Sequence, residues 1–421
     1  RVKTRTYSGE PAGVVTPAVS FFYDGKGLAA PQTPNFAKGK LTRVFSTVSE
    51  TKNTVFDNFG RLKETQQITD GNTYTSKYAY NFSGALIEEE YPSGRKVINE
   101  FESDGDLMRV TSAKNAASVF APYVSNFSYT ASGGISQMRL GNGRWETAKF
   151  NNRLQVTELG LGSSSVDAGT WKVNYDYGEL QSDGTTVDTA KNTGNIAKQT
   201  LTVPGTNFIQ AYRYDSLYRL TEAKETTGTS TPLNWSQNWT YDRYGNRLTF
   251  TQNIAGNAAV TNPTIDTNTN RFVTTGTNFQ YDLNGNLTRD IESRQFTFNG
   301  DNKQTVVRDA ASNIIGQYFY DGEGKRVKKK VYDPNNPSVV TEETIFVYSS
   351  GKLVAEYSTQ LSQNPTTSYT TTDHLGSPRV ITDQLGQVKS RRDFLPFGED
   401  LSNGVCNRSA RSKACAARST G

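Results

Sequence analysis

The amino-acid sequence predicts an all-β chain, a continuous antiparallel sheet assembled from short hairpins, and three observations carry the prediction. Aromatic residues make up 11% of the 421 residues, with 22 Tyr, 21 Phe and 36 Gly, while hydrophobic residues reach only 34%. Aromatic and β-branched side chains suit a pleated, half-buried surface, and Gly tolerates the positive φ of tight turns. Only two Met occur, and there is no long run of Ala, Leu, Glu and Lys, so strong helix-forming stretches are missing. Finally, one short phrase returns along the chain with small edits, the mark of a repeat architecture.

Taken in order, the phrase first reads Phe56-Asp57-Asn58-Phe59-Gly60-Arg61-Leu62, then Phe101-Glu102-Ser103-Asp104-Gly105-Asp106-Leu107. It sharpens in Tyr214-Asp215-Ser216-Leu217-Tyr218-Arg219-Leu220, in Tyr241-Asp242-Arg243-Tyr244-Gly245-Asn246-Arg247-Leu248 and in Tyr281-Asp282-Leu283-Asn284-Gly285-Asn286-Leu287. A further copy is Tyr320-Asp321-Gly322-Glu323-Gly324-Lys325-Arg326-Val327, with weaker relatives at 81–86, 129–135, 150–154, 175–180, 298–304 and 348–353. Each copy reads as a hairpin. The aromatic ends one strand, Asp opens the turn by accepting from the amide two residues on, Gly supplies positive φ, and Leu starts the return strand. Trp239 with Tyr241, Leu248 with Phe250, and Tyr212 with Tyr214 are expected to share faces, and such faces are expected to stack as aromatic ladders between successive hairpins.

The spacing from Tyr214 to Tyr241, on to Tyr281 and then to Phe298 drifts, which argues for a growing sheet with variable loops, such as 253–270 and 333–340, over a propeller of fixed blade length. The expected organisation is a lead-in or incomplete repeat over 1–39, repeats over 40–372, a distinct motif region over 373–403, and an irregular tail over 404–421 without aromatic residues or strand alternation. An open strip would leave edge strands exposed, so self-association is expected.

Charge is balanced, 46 Lys+Arg against 41 Asp+Glu, and interleaved, which does not imply nucleic-acid binding. The densest basic run, Lys325, Arg326, Lys328, Lys329 and Lys330, reads as a solvated edge or hairpin. Cys406 and Cys415 both fall in the tail, so the body needs no disulfide, and without accompanying His they make poor zinc ligands. The chain opens at Arg1 with no charged-then-apolar leader and holds no membrane-length apolar run; it is expected to be an internal or C-terminal piece of a longer exported protein.

Catalytic constellations are scarce. His374 is the sole histidine and reads as a structural turn residue. Glu88-Glu89-Glu90 and Glu342-Glu343 read as solvated strand faces, and the Gly-rich strings at 141–144 and 322–324 lack the strand–helix context of a phosphate loop. One acid per turn is too few for calcium, so no cofactor, metal or catalytic residue is assigned.

The Tyr-Asp-x-x-Gly copies resemble YD repeats. Asp373-His374-Leu375-Gly376-Ser377-Pro378-Arg379-Val380-Ile381-Thr382-Asp383, followed by Phe394-Leu395-Pro396-Phe397-Gly398-Glu399, resembles the opening of the Rhs-repeat-associated core. The resemblance is to the bacterial Rhs family, whose YD shell is similar to those of insecticidal toxin complexes and animal teneurins, and it covers about 40 to 400. It implies a strip that curls into a spiral shell or partial shell, enclosing or presenting a C-terminal effector or toxin domain. It also implies a downstream Asp-Pro-x-Gly autoproteolytic signature that this sequence does not contain; Asp393 precedes a similar-looking phrase and is read as structural.

The functional expectation is therefore a secreted or cell-surface structural segment of a polymorphic-toxin-like protein, not itself an enzyme. Its partners would be its own effector, secretion machinery or a target-cell glycan, with no nucleic acid and no membrane span. The alternative is a cell-surface adhesion or carbohydrate-binding YD-repeat protein, and a third reading is an enzyme with its site spread over loops.

Overall fold

The computed structural model describes residues 1–401 apart from 12, 29–35, 229–232, 255–259, 261 and 361–365; the tail and its cysteines, Cys406 and Cys415, lie outside the described residues. The chain is all-β. A 19-stranded antiparallel sheet, not closed, begins at Thr4–Arg5 and ends at Arg247–Ile254. Consecutive strands pair, except that Trp171–Tyr177 skips an inserted two-stranded piece to pair with Ile196–Val203. An eight-stranded sheet over 280–358 and a three-stranded one from Ser368–Thr372 to Val388–Arg391 follow. Among the described residues no helix is long and apolar enough to cross a membrane.

One local geometry generates these strands. In the clear copies the residue after the aromatic donates its amide to the carbonyl four residues on and accepts from the amide three residues on, as in Asp242 N to Asn246 O (3.0 Å) and Gly245 N to Asp242 O (3.2 Å); of the weaker relatives, 175–180 instead runs into an insertion after Tyr177, and 348–353 closes as a tighter turn with Ser349 opposite Lys352. The fourth turn residue is left-handed, φ +90° at Gly245 and +92° at Gly285, which is why Gly recurs there. The aromatic then pairs with the residue six positions later, Tyr214 with Leu220 and Tyr281 with Leu287, and a register shift follows at once.

That shift corrects one expected face. In the Tyr241 copy the leucine stands one place later, so Arg247 pairs with Tyr241 and Leu248 falls into the bulge. Leu248 is accordingly 45% exposed while Phe250 is buried. Loop 333–340 is also mostly strand: Arg326–Asp333 and Asn336–Ser349 pair down to Asp333 and Asn336, and only the Pro-Asn dipeptide forms the tip. The basic run forms hairpins with the strands before and after it, as one of its two readings expected, and being paired on both sides it is not an edge. Lys328 is buried against Asp70 and Glu343, Lys329 bonds Glu342 at 2.9 Å, and Lys330 bonds Glu343 at 3.2 Å, so cross-strand carboxylates neutralise it.

The chain forms two compact units interleaved in sequence: Arg1–Asn99 with Ser112–Phe120 and Phe272–Asn364, and Glu100–Thr111 with Ala121–Arg271 and the chain from Pro365 on. The first has a markedly polar interior, with Thr42, Ser49, Thr65, Gln67, Thr69 and Ser76 buried. Gln67 spends its amide on the Phe346 carbonyl (2.9 Å) and the Tyr348 amide (3.2 Å), and Tyr78 bonds Ser349 at 2.7 Å. The second holds apolar clusters, the larger ones around Leu161, Trp171, Val173 and Leu201 and around Trp235, Trp239 and Phe250, with a small one of Leu180, Ala197 and Ala211. Beside the Trp235 cluster runs a buried amide row in which Gln210 donates to Glu225 (2.7 Å), and Asn234 donates to the same carboxylate (2.8 Å).

Candidate functional site

The chemistry the sequence carries lies in the repeated turn and in its variant at Asp373. In the repeated turn, the aspartate holds its own backbone: Asp242 Oδ1 accepts from Tyr244 N (2.8 Å) and Asn246 N (2.9 Å), and Oδ2 accepts from Asn246 Nδ2 (2.7 Å). Asp215 does the same with Leu217, Arg219 and the Arg219 guanidinium, and Asp282 with Asn286. These bonds hold the Asp215 and Asp242 carboxyls below the usual carboxylate range. At Asp321 burial outweighs the backbone bonds from Glu323 and Lys325 and raises the carboxyl instead.

The tyrosine has a separate task. Tyr214 OH donates to Ile196 O (2.9 Å), Tyr241 OH to Leu220 O (2.7 Å) and Tyr320 OH to Gln304 O (2.8 Å), each carbonyl belonging to the residue that pairs with the aromatic of the preceding hairpin. Arg219 adds a second stitch, its Nη1 donating to Asp242 O (2.6 Å) with its guanidinium 4.9 Å from the Tyr241 ring centre. Hydrogen bonds and cation–ring contacts, rather than the expected ring ladders, thus join these successive hairpins. The stacked pair Trp239 and Phe250, 5.8 Å apart, lies across the two strands of one hairpin.

The phrase at 373–379 is the same turn with one change. Asp373 N bonds Ser377 O, Gly376 N bonds Asp373 O, and Oδ1 accepts from Leu375 and Ser377 (both 2.9 Å). Pro378 takes the place opposite Thr372. The second carboxylate oxygen goes not to residue 377 but to Arg379, whose Nε and Nη2 both lie 2.9 Å away. Arg379 is buried and reaches on with Nη1 to Asp393 Oδ1 (2.9 Å), and Phe394 lies over its guanidinium at 5.3 Å. Burial pushes the Asp393 carboxyl up to about 6, with Asp400 adding to the rise and Arg379 opposing it.

Asp393 opens a strap. Phe394 bridges Asp400, Leu395 N bonds Glu399 O, and Leu401 N bonds Asp393 O (2.8 Å), so 394–400 is again the repeated turn with Leu395 where Asp usually stands. Leu395 and Leu401 are buried in the Trp235/Trp239 cluster, which explains an apolar residue there. His374 lies edge-on to Tyr175 at 4.5 Å with part of its surface open to solvent, and the desolvation that this packing brings lowers its pKa. A cleft of about 300 Å³ opens beside Asp373, His374, Arg379, Tyr212 and Phe394. Leu375 projects outward, 79% exposed.

The remaining repeat positions Leu287, Gly324 and Gly285 occupy turn or strand-start places as described, in a different unit from Tyr214 and Tyr241. The sequence reading missed the turns opened by Asp290, Asp309, Asp383, Leu140 and Leu395. The first three share Asp with Ser or Gly three positions on, a signal looser than Tyr-Asp-x-x-Gly but legible; the Leu turns carry no such signal. Among the described residues no group of three or more His, Cys, Asp or Glu is placed to hold a metal ion.

A family model described as the teneurin YD-shell matches residues 188–405, just over half of the chain. The tRNA nuclease WapA of Bacillus subtilis (strain 168) is 30% identical over 135 residues, which are 31% of this chain and 5% of that protein. Among solved structures, the Photorhabdus luminescens Tc holotoxin pore superposes with TM-score 0.71 at 16% identity, over 93% of this chain and 22% of that chain. The TcdB2-TccC3 structure gives 0.69 at 17%, over 91% and 22%. At such identities the likeness is one of fold, and the chain spans only a small part of each relative. The family match contains the Tyr214 and Tyr241 hairpins, the Asp373 turn and the strap that Arg379 holds, and on that match this protein belongs to the teneurin YD-shell family.

Proposed function

We propose that the chain is a non-enzymatic shell segment of an extracellular, toxin-like protein, enclosing or presenting a separate effector domain. The supporting observation is how the charged groups are used. Each of the aspartates Asp215, Asp242 and Asp282 is spent on its own turn, and the most buried ion network, Asp373–Arg379–Asp393, is spent fastening a strap to the sheet. Such groups hold shape and are not aimed at a substrate. The test appends a short polypeptide carrying one site-specific protease sequence after Gly421. If the chain encloses its effector, cleavage is expected to be at least about tenfold slower than in the same polypeptide free; equal rates would sink the enclosing role.

A second reading, surface carbohydrate binding, is favoured by aromatic rings held outward on the repeated turns: Phe59, Phe82, Tyr218 and Tyr244 are all more than half exposed.

A further inference from the structure

We infer that the cleft between the insertion 178–195 and the Asp215 turn binds a neutral saccharide, with Tyr218 as the stacking surface; this rests on the carbohydrate reading above. Tyr177 pairs with Ile196 as the aromatic of any other copy pairs with its partner, but here the intervening chain is much longer than a five-residue turn. It forms a small hairpin, Glu179–Leu180 with Val187–Asp188, and a turn of 3-10 helix, Thr189–Lys191. Arg213 fixes this wall by donating to Leu180 O (2.9 Å) and Gln181 O (2.7 Å), so the cleft, about 630 Å³, is preformed.

Tyr218 lines it. It stands where Gly245, Gly285 and Gly324 stand in sister copies and takes the same left-handed backbone, φ +61°. That conformation costs a bulky side chain energy that glycine would not spend, so the ring is kept against local preference. The side chain is free: Tyr218 is 60% exposed, and among the described residues its hydroxyl has no hydrogen-bond partner and its ring no ring neighbour. Around it, Lys191 and Arg213 are balanced by Glu179 and Asp215, and Lys191 pairs with Glu179 at 2.9 Å. This lining exerts no net pull on a phosphate or an acidic glycan. An open ring face amid interleaved donors and acceptors, with Asn195, Thr193 and Ser216 also at the surface of the cleft, complements a pyranose, apolar on its C–H face and rimmed by hydroxyls.

The test applies the full chain, Tyr218→Gly and Tyr244→Ala to a printed array of neutral and acidic oligosaccharides, with thermal midpoints measured in parallel. Wild type and Tyr244→Ala are expected to retain neutral glycans, and Tyr218→Gly to lose at least about tenfold in affinity with a midpoint unchanged or higher, since glycine fits this backbone. Undiminished binding by Tyr218→Gly overturns the site and leaves the carbohydrate reading standing. A wild type that captures no glycan overturns both, and capture of acidic glycans alone overturns the neutral assignment.

Discussion

At the scale of single residues, the two letters of the repeat do different work. The aspartate shapes the turn it opens, and its partner at the fifth position, Arg219 or Asn246, returns to the second carboxylate oxygen. The tyrosine acts one hairpin away, capping a carbonyl beside the register shift. Tyr241→Phe keeps the ring and deletes only the bond to Leu220 O. It is expected to cost about 1 kcal/mol, read as a lowered urea midpoint at unchanged slope; no change would mean that water replaces the phenol.

At the scale of elements, the strap 393–401 depends on one guanidinium between two carboxylates. Asp393 titrates at about 6 when folded against an ordinary value of 3.8, so between these pH values the folded chain binds the proton that the unfolded chain has lost. Stability contributed at this site is therefore greatest below the unfolded value and declines as pH rises toward 6, by about 3 kcal/mol across the window. Asp393→Asn removes the titration. The stability of wild type relative to Asp393→Asn is expected to fall between pH 4 and 6 and stay level above, measured by urea midpoints at each pH. A flat difference would show that Asp393 carries the same charge in both states.

At the scale of the molecule, the sheet protects part of its edge. Asn262 accepts from Phe250 N (2.7 Å) and donates to Phe250 O (3.0 Å), standing in for a neighbouring strand beside Arg247–Ile254. The interleaving of the two units has a sharper consequence. Ending the chain at Arg271 removes Phe272–Asn364 from the first unit, taking the partners of Gln67 and Tyr78 and the Gly322 carbonyl that Arg5 binds (2.8 Å). The second unit loses the strap with it. The 1–271 fragment is expected to self-associate, and a folded monomer by light scattering would contradict this.

The turn was legible in the sequence because it is local: Asp, a left-handed fourth residue and a fixed length of five lie within one short window, and they determine hairpins, hence an all-β chain. The window also explains the errors. A leucine displaced by one position cannot be distinguished from Leu220 by composition, yet register puts Leu248 in a bulge. The lysines at 328–330 looked solvated, at an edge or on a hairpin, because their neutralising partners, Asp70, Glu342 and Glu343, lie outside their own strand. Likewise Asp373, Arg379 and Asp393 are ordinary charged residues until the sheet buries them together. Local hydrogen bonding made the repeat readable from sequence, whereas register, burial and the meeting of distant charges arise only when strands pair, and these the tertiary structure alone decided.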